Sequence, residues 1–162
     1  MAAGLSMDED KIDLLRQSLN ESCPLEEKDF IEKVSIDLQM PFRIVSEEFV
    51  NELQILEPFG KNNTKPLFAE KNVEILNGRI LGSKQNVLKM QVADSEGTVM
   101  HAVCFGKAQG LIQYLRAKYG EKQVEQMLRG KRTGMTASFT YYPVVNDYME
   151  QKRLQLVIQN YQ

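Results

Sequence analysis

Between Asn72 and Gln159 the hydrophobic period switches from that of strands to that of helices and back, and this order restricts the fold more than any other feature of the chain. Asn72 to Ser83 reads as a strand. Asn86 to Asp94 alternates, with Leu88, Met90 and Val92 on one face and Lys89 and Gln91 on the other. Asp94-Ser95-Glu96-Gly97 is a turn, and Thr98 to Phe105 is a third strand. Residues 108–128 take helical spacing, with Leu111, Ile112 and Leu115 clustered. Gly120 divides this stretch into two helices and Gly130 caps the second. Thr133 to Tyr142 and Lys152 to Gln159 are the last two strands, with Leu154, Leu156 and Ile158 inward. The class is therefore α+β. Three strands, a helical insertion and two further strands is the layout of the OB-fold, a five-stranded Greek-key barrel. Gly82, read as part of the first strand, suits a barrel that bends sharply.

Residues 1–56 read differently, as helix, strand, helix. Ser6-Met7-Asp8-Glu9 has the spacing of a capping box, followed by Ile12, Leu15 and Leu19 on one stripe. Cys23-Pro24 stops that helix. Val34, Ile36 and Leu38 alternate as in a half-buried strand. Ser46 is an N-cap ahead of Glu47 and Glu48, with Phe49, Leu53 and Leu56 on one face. Charge separates the two parts. Residues 1–58 hold 14 acidic against 5 basic side chains, a net of −9, and residues 59–162 hold 15 basic against 8 acidic, a net of +7. The basic part is the candidate for a polyanion partner. The acidic part reads as packing surface, expected to leave apolar area exposed or to pair with a second copy.

Two cysteines in unlike contexts exclude a disulfide framework or a Cys-x-x-Cys zinc site, and a single histidine, His101, excludes a His-rich metal centre. Cys104 reads as a small buried hydrophobe and Cys23 as a loop residue. No apolar run approaches the roughly 18 residues of a membrane span, and the acidic start does not read as a signal peptide.

Residues 57–71 form a connector, rich in Pro, Gly and Asn, where the charge changes sign. The stretch Leu56-Glu57-Pro58-Phe59-Gly60-Lys61-Asn62-Asn63-Thr64-Lys65-Pro66-Leu67-Phe68 resembles a signature of the RecJ family of single-strand-specific exonucleases. Asn62 stands where the family pattern has Gly, and Thr64 where it has Pro. Asn tolerates positive φ, so the turn is expected to persist. Met1 to Ser6 is similar to the end of the family's DHHA1 domain. Gly78-Arg79-Ile80-Leu81-Gly82, Leu88-Lys89-Met90 and Ala102-Val103-Cys104-Phe105-Gly106 are similar to its OB domain.

The resemblance implies a remnant of a DHHA1-like domain over 1–56 and an OB domain over 72–162. It implies a parent enzyme that degrades single-stranded DNA 5′ to 3′ in repair and recombination, in the bacterial cytoplasm. Manganese or magnesium would serve that parent; the family's Asp-His-His motif does not occur here, so this chain is expected to hold DNA without cofactor or cleavage. The implied partners are single-stranded DNA, the catalytic core upstream in the same polypeptide, and proteins working on the same strand, such as a single-strand-binding protein or a helicase. No membrane partner is implied.

A single-strand binder needs cations that follow phosphates and rings on which bases stack. Arg79 lies on the first barrel strand, Lys84 in the loop after it, and Lys89 and Gln91 on the polar face of the second. Tyr148 sits in the loop read over 143–151, followed by Lys152 and Arg153. Phe105, Tyr141, Tyr142 and Tyr148 are the stacking candidates; Tyr141 and Tyr142 must point to opposite faces, one of them inward. Lys131-Arg132 reads either as a phosphate grip or as the end of a helix. An OB barrel also serves as a structural or protein-docking element.

Overall fold

The computed structural model describes residues 4–30, 33–148 and 151–162. The start of the DHHA1-like stretch, Met1 to Ala3, lies outside them. The chain divides into two compact units, Met1–Val34 and Ser35–Gln162. Residues 35–56, grouped by charge with the first part, thus lie in the same unit as the barrel.

In the first unit a helix, α1, spans Ile12–Glu21 and follows a 3-10 turn over Glu9–Lys11. The capping box does not form. The 3-10 turn starts after Asp8, whose carboxylate meets Lys11 Nζ at 2.8 Å in place of a backbone cap. The Ile12, Leu15 and Leu19 stripe buries no residue fully within the described part of this unit.

In the second unit the predicted strand over Val34–Leu38 reduces to two residues, β1 (Leu38–Gln39), paired parallel to Phe68 and Ala69. Ile36 and Leu38 are exposed, as is Val34 at the end of the first unit, because the sheet pairing extends only over Leu38–Gln39. Asp37 anchors it. Its carboxylate accepts from Leu67 N at 2.9 Å, and its own amide donates to Leu67 O at 2.9 Å. Ser46 does cap α2 (Glu47–Leu53), its hydroxyl accepting from Phe49 N at 3.1 Å.

The barrel strands are β2 (Phe68–Leu81), β3 (Val87–Ala93), β4 (Val99–Phe105), β5 (Thr136–Tyr148) and β6 (Gln151–Tyr161). Their order is β2-β3-β4-β6-β5, closed by β2–β5, with β4 and β6 parallel and the other pairs antiparallel. This is the OB-fold of the sequence reading. Closure depends on β2, whose first half pairs with β5 and whose second half pairs with β3. Register shifts between Glu70 and Val73 and between Ile75 and Asn77 bend it, and Asn72 takes φ 54° at the first. An Asn at left-handed φ inside a bulge lets one strand serve two neighbours.

Gly82 falls just beyond β2 and supplies a φ of 84° to the loop that follows. Strand β5 runs on through the predicted loop at Pro143. Past Tyr141 it no longer pairs with β2, so the missing proline amide falls where β5 is an edge strand paired with β6 alone.

The insertion forms α3 (Ala108–Tyr119) and α4 (Glu121–Leu128), broken at Gly120 with φ 87°. Leu111, Ile112, Leu115, Val124 and Met127 are buried and join Leu88, Met90, Tyr141, Leu156 and Ile158 in one core. At Gly78 a Cβ would collide with Met127 Sδ, so α4 approaches β2 only over a glycine. Gly78→Val is expected to lower stability by about 1–3 kcal/mol by overpacking, read as a lower urea midpoint with an unchanged slope.

Candidate nucleic-acid interface

Core and outer face alternate along the strands. Leu88, Met90 and Val92 of β3, Ala102 and Cys104 of β4, and Leu156 and Ile158 of β6 belong to the core. Their neighbours in the opposite phase therefore face outward, and the register sets these neighbours in rows. One row runs Arg79–Lys89–Val103–Val157–Tyr142 across β2, β3, β4, β6 and β5. A second runs Asn77–Gln91–His101–Gln155–Val144, and a third, toward the β2–β3 loop, runs Leu81–Val87–Phe105.

The first row joins charged and apolar side chains. Val103 and Val157 are each only 5% exposed, yet stand outside the continuous core cluster. Short apolar side chains thus lie between the longer Lys89 and Tyr142, and this row is the candidate groove. With strands about 4.8 Å apart, the row follows the curve of the closed barrel.

Beside the groove, Asn77 Nδ2 donates to Gln91 Oε1 at 2.7 Å. His101 is half-buried, and burial, then Lys89 and Arg153, holds its pKa below the ordinary value. Two cations are thus near enough to His101 to disfavour a third, and the face is electropositive. In the third row Phe105 is 54% exposed, on the outer side rather than in the core. Lys84 is exposed in the neighbouring loop, which is tied to the start of the insertion by Gly106 N to Asn86 O at 2.8 Å and Gln109 Nε2 to Gln85 O at 3.1 Å.

Of the predicted residues, Arg79, Lys89, Gln91, Phe105 and Tyr142 all stand in the outward phase of their strands, with Lys84 in the loop after β2. Arg153 lies on β6 opposite Asn146 and acts on His101. Lys152, one residue out of phase, leaves on the other side of the β5–β6 ribbon. The side chain of Tyr148 lies outside the described residues.

Tyr141 is not a stacking residue. It is fully buried, its ring near Phe42 at 5.8 Å and Phe68 at 6.1 Å, and its hydroxyl donates to Met40 O at 2.8 Å. The register shift between Thr140 and Tyr141 sets the phase that turns it inward. Arg132 is held by Glu74, with Nε to Oε1 at 2.7 Å, and holds the Glu74 carboxyl below its usual pKa. A second hollow near that pair, lined by acidic Glu74 and Asp94, lies at the opposite end of β3 from Lys84.

Sequence reasoning passed over the connector. Lys65 Nζ lies 4.8 Å from the ring centroid of Tyr142 and 5.7 Å from that of Phe59, at the β5 end of the groove. A lysine and a phenylalanine within a motif noted only for its turns were the available signal.

The closed five-stranded barrel, its strand order and its helical insertion define an OB-fold module. The chain belongs to the RecJ OB domain family, whose profile matches residues 36–160. It is 28% identical over 162 residues to the single-stranded-DNA-specific exonuclease RecJ of Bacillus subtilis (strain 168), covering 99% of this chain and 18% of that protein. The chain thus spans less than a fifth of that relative's length. Among solved structures, a Replication Protein A heterotrimer bound to ssDNA aligns with TM-score 0.46 and 12% identity, over 96% of this chain and 44% of that one. The mitochondrial single-stranded DNA binding protein Rim1 of S. cerevisiae aligns with TM-score 0.32 and 13% identity, over 58% and 89%.

The manganese or magnesium that the family resemblance implies does not fit the residues present. Among the described residues no three His, Cys, Asp or Glu side chains gather as a metal-holding group, and Lys89 and Arg153 hold the His101 pKa down. Among them, too, no helix is long and apolar enough to cross a membrane.

Proposed function

We propose that the barrel holds single-stranded DNA for a RecJ-type nuclease, with the strand lying along the Arg79–Tyr142 row. That row is the observation that carries the reading. It sets cations on β2 and β3, two small apolar residues on β4 and β6 and a tyrosine on β5, with exposed Phe105 one row away. Cations beside stacking rings are what a sequence-tolerant single-strand site requires. The name of the B. subtilis relative, a single-stranded-DNA-specific exonuclease, supports the same substrate class.

On this reading 5′-to-3′ cleavage, its metal ions and the role in repair and recombination belong to the rest of the parent protein, in the bacterial cytoplasm. The Met1–Val34 unit is then the end of a DHHA1-like domain. Its Leu14, Leu19 and Phe30 are 67%, 59% and 74% exposed, apolar surface that such a domain would cover. A single-strand-binding protein or a helicase would meet the complex through the shared strand.

Fluorescence anisotropy with labelled oligo-dT and a mixed-sequence oligomer tests the reading. Binding is expected to both, and to weaken between 50 and 200 mM salt with a log–log slope of about −0.7 for each phosphate neutralised. Absence of binding at the lower salt would transfer the barrel to the protein-docking role.

A further inference from the structure

We infer that the cleft between the connector and β5 is a binding site for one unpaired nucleobase, sandwiched against Tyr142 and Phe59 while Lys65 takes its phosphate. This rests on the single-strand reading above and adds a site to it.

The cleft encloses about 210 Å³. That is below the 300–1,000 Å³ typical of sites for drug-sized ligands, and matches one planar ring system. Its walls are mixed, with apolar Val50 and Leu53 coming from α2 and Tyr142 and Val144 from β5. Phe59 and Lys65 come from the connector.

The wall that carries Phe59 is built in advance. Asn63 Nδ2 donates to Leu56 O at 2.7 Å and to Pro58 O at 3.1 Å. Gly60 and Asn63 exchange backbone hydrogen bonds of 2.8 and 3.2 Å. The loop therefore holds its shape without a ligand, and little ordering entropy opposes binding.

Lys65 sits near both rings, with its ammonium 5.7 Å from the Phe59 centroid and 4.8 Å from the Tyr142 centroid. The cation occupies space that a flat, π-faced ligand could take. A base stacking on Tyr142 at the usual 4.5–7 Å centroid separation displaces the ammonium outward, where it meets the phosphate of the same nucleotide. Glu57 and Gln54 also line the cleft. Glu57 repels phosphate, so the base enters from the β5 side, where the groove arrives at Tyr142. Continuity with that cationic groove selects a nucleotide over an uncharged ring compound or a peptide.

The chain contains no tryptophan. Phe59→Trp therefore places a sole indole in the wall. On titration of the full chain with a dT 12-mer, its emission is expected to quench along the same curve as the anisotropy. Tyr142→Ala is expected to weaken 12-mer binding about 5- to 150-fold, the loss of one stacked base, and Tyr142→Phe to restore it. Lys65→Gln is expected to reduce the salt slope by about 0.7, and gives a reading even where Phe59→Trp does not fold.

Wild-type binding combined with silent Trp emission would overturn the nucleobase site while leaving the groove reading intact; an unaltered Tyr142→Ala affinity would overturn the site and also take Tyr142 out of the groove. Quenching by free aromatic compounds or peptides to the same extent as by DNA would also overturn it. Failure of the wild-type chain to bind at 50 mM salt removes the groove reading and this site together.

Discussion

Tyr141→Ala is expected to remove a large share of the stability of the barrel, while Tyr142→Ala leaves it nearly intact. Tyr141 is 0% exposed and packs among Phe42 and Phe68. Truncating a buried aromatic to alanine costs about 3–5 kcal/mol, and a domain of this size has only about 5–15 kcal/mol in total. The hydroxyl adds to the loss, since its bond to Met40 O at 2.8 Å is the tie from the segment after β1 to the core of β5. Tyr141→Phe isolates that tie and is expected to cost about 1–3 kcal/mol, because the buried carbonyl is left unpaired.

Burial holds the Tyr141 phenol well above its ordinary pKa. The unfolded chain therefore releases this proton near pH 10 while the folded chain retains it. Stability is full below pH 10 and falls as pH rises beyond it. Tyr142 is half-buried on the outer face, so its truncation is expected to change stability by about 1 kcal/mol or less. Urea melts of both variants decide the matter; equal losses would mean that the phase of β5 is misassigned.

The same pair marks how far the fold was legible before the structure. Alternation at Leu88, Met90 and Val92 located β3 to within a residue or two at each end, because both faces of that strand differ sharply in polarity. Gly120 and Gly130 broke and ended the insertion as expected, since each takes a positive φ that other residues resist. Period two also required one of Tyr141 and Tyr142 to point inward. It did not say which, because the answer depends on a register shift at Thr140 that leaves no mark in the hydrophobic pattern.

Local pattern misled where no partner completed it. Val34, Ile36 and Leu38 alternate, but the sheet pairing extends only over Leu38–Gln39. Ser6 offers a capping box, but the 3-10 turn starts three residues later at Glu9 and the helix itself only at Ile12. The groove itself was half legible. Lys89 and Gln91 follow from the phase of β3, whereas Arg79, Val103, Val157 and Tyr142 come together only once five strands close into a barrel. Phe59 and Lys65 were invisible for the same reason: a turn-rich connector carries no period that tells which face it will dock against.

The double variant Arg79→Gln, Lys89→Gln is expected to bind single-stranded DNA about 25-fold more weakly at 0.1 M salt. Each phosphate neutralised contributes about 0.7 to the salt slope, hence about fivefold in affinity at that concentration. The two residues are cross-strand partners in the first row, and neither supports the core, so the urea midpoint is expected to stay where it is. The slope should fall by about 1.4. An unchanged slope would place the strand elsewhere on the barrel.

His101 supplies a second reading of the same geometry. In the free protein, burial, Lys89 and Arg153 hold its pKa down, so it is neutral at pH 7. A phosphate on Lys89 offsets that cation and raises the His101 pKa, so the complex takes up protons that the free protein does not. Affinity therefore rises as pH falls through the interval between the bound and the free pKa values, and is indifferent to pH above it. His101→Gln is expected to flatten the profile. Lys89→Gln is expected to shift the free-protein pKa of His101 upward and to shrink the pH effect, because the cation that phosphate must offset is already gone. A pH profile untouched by either substitution would remove the phosphate from the Lys89–His101 side of the groove.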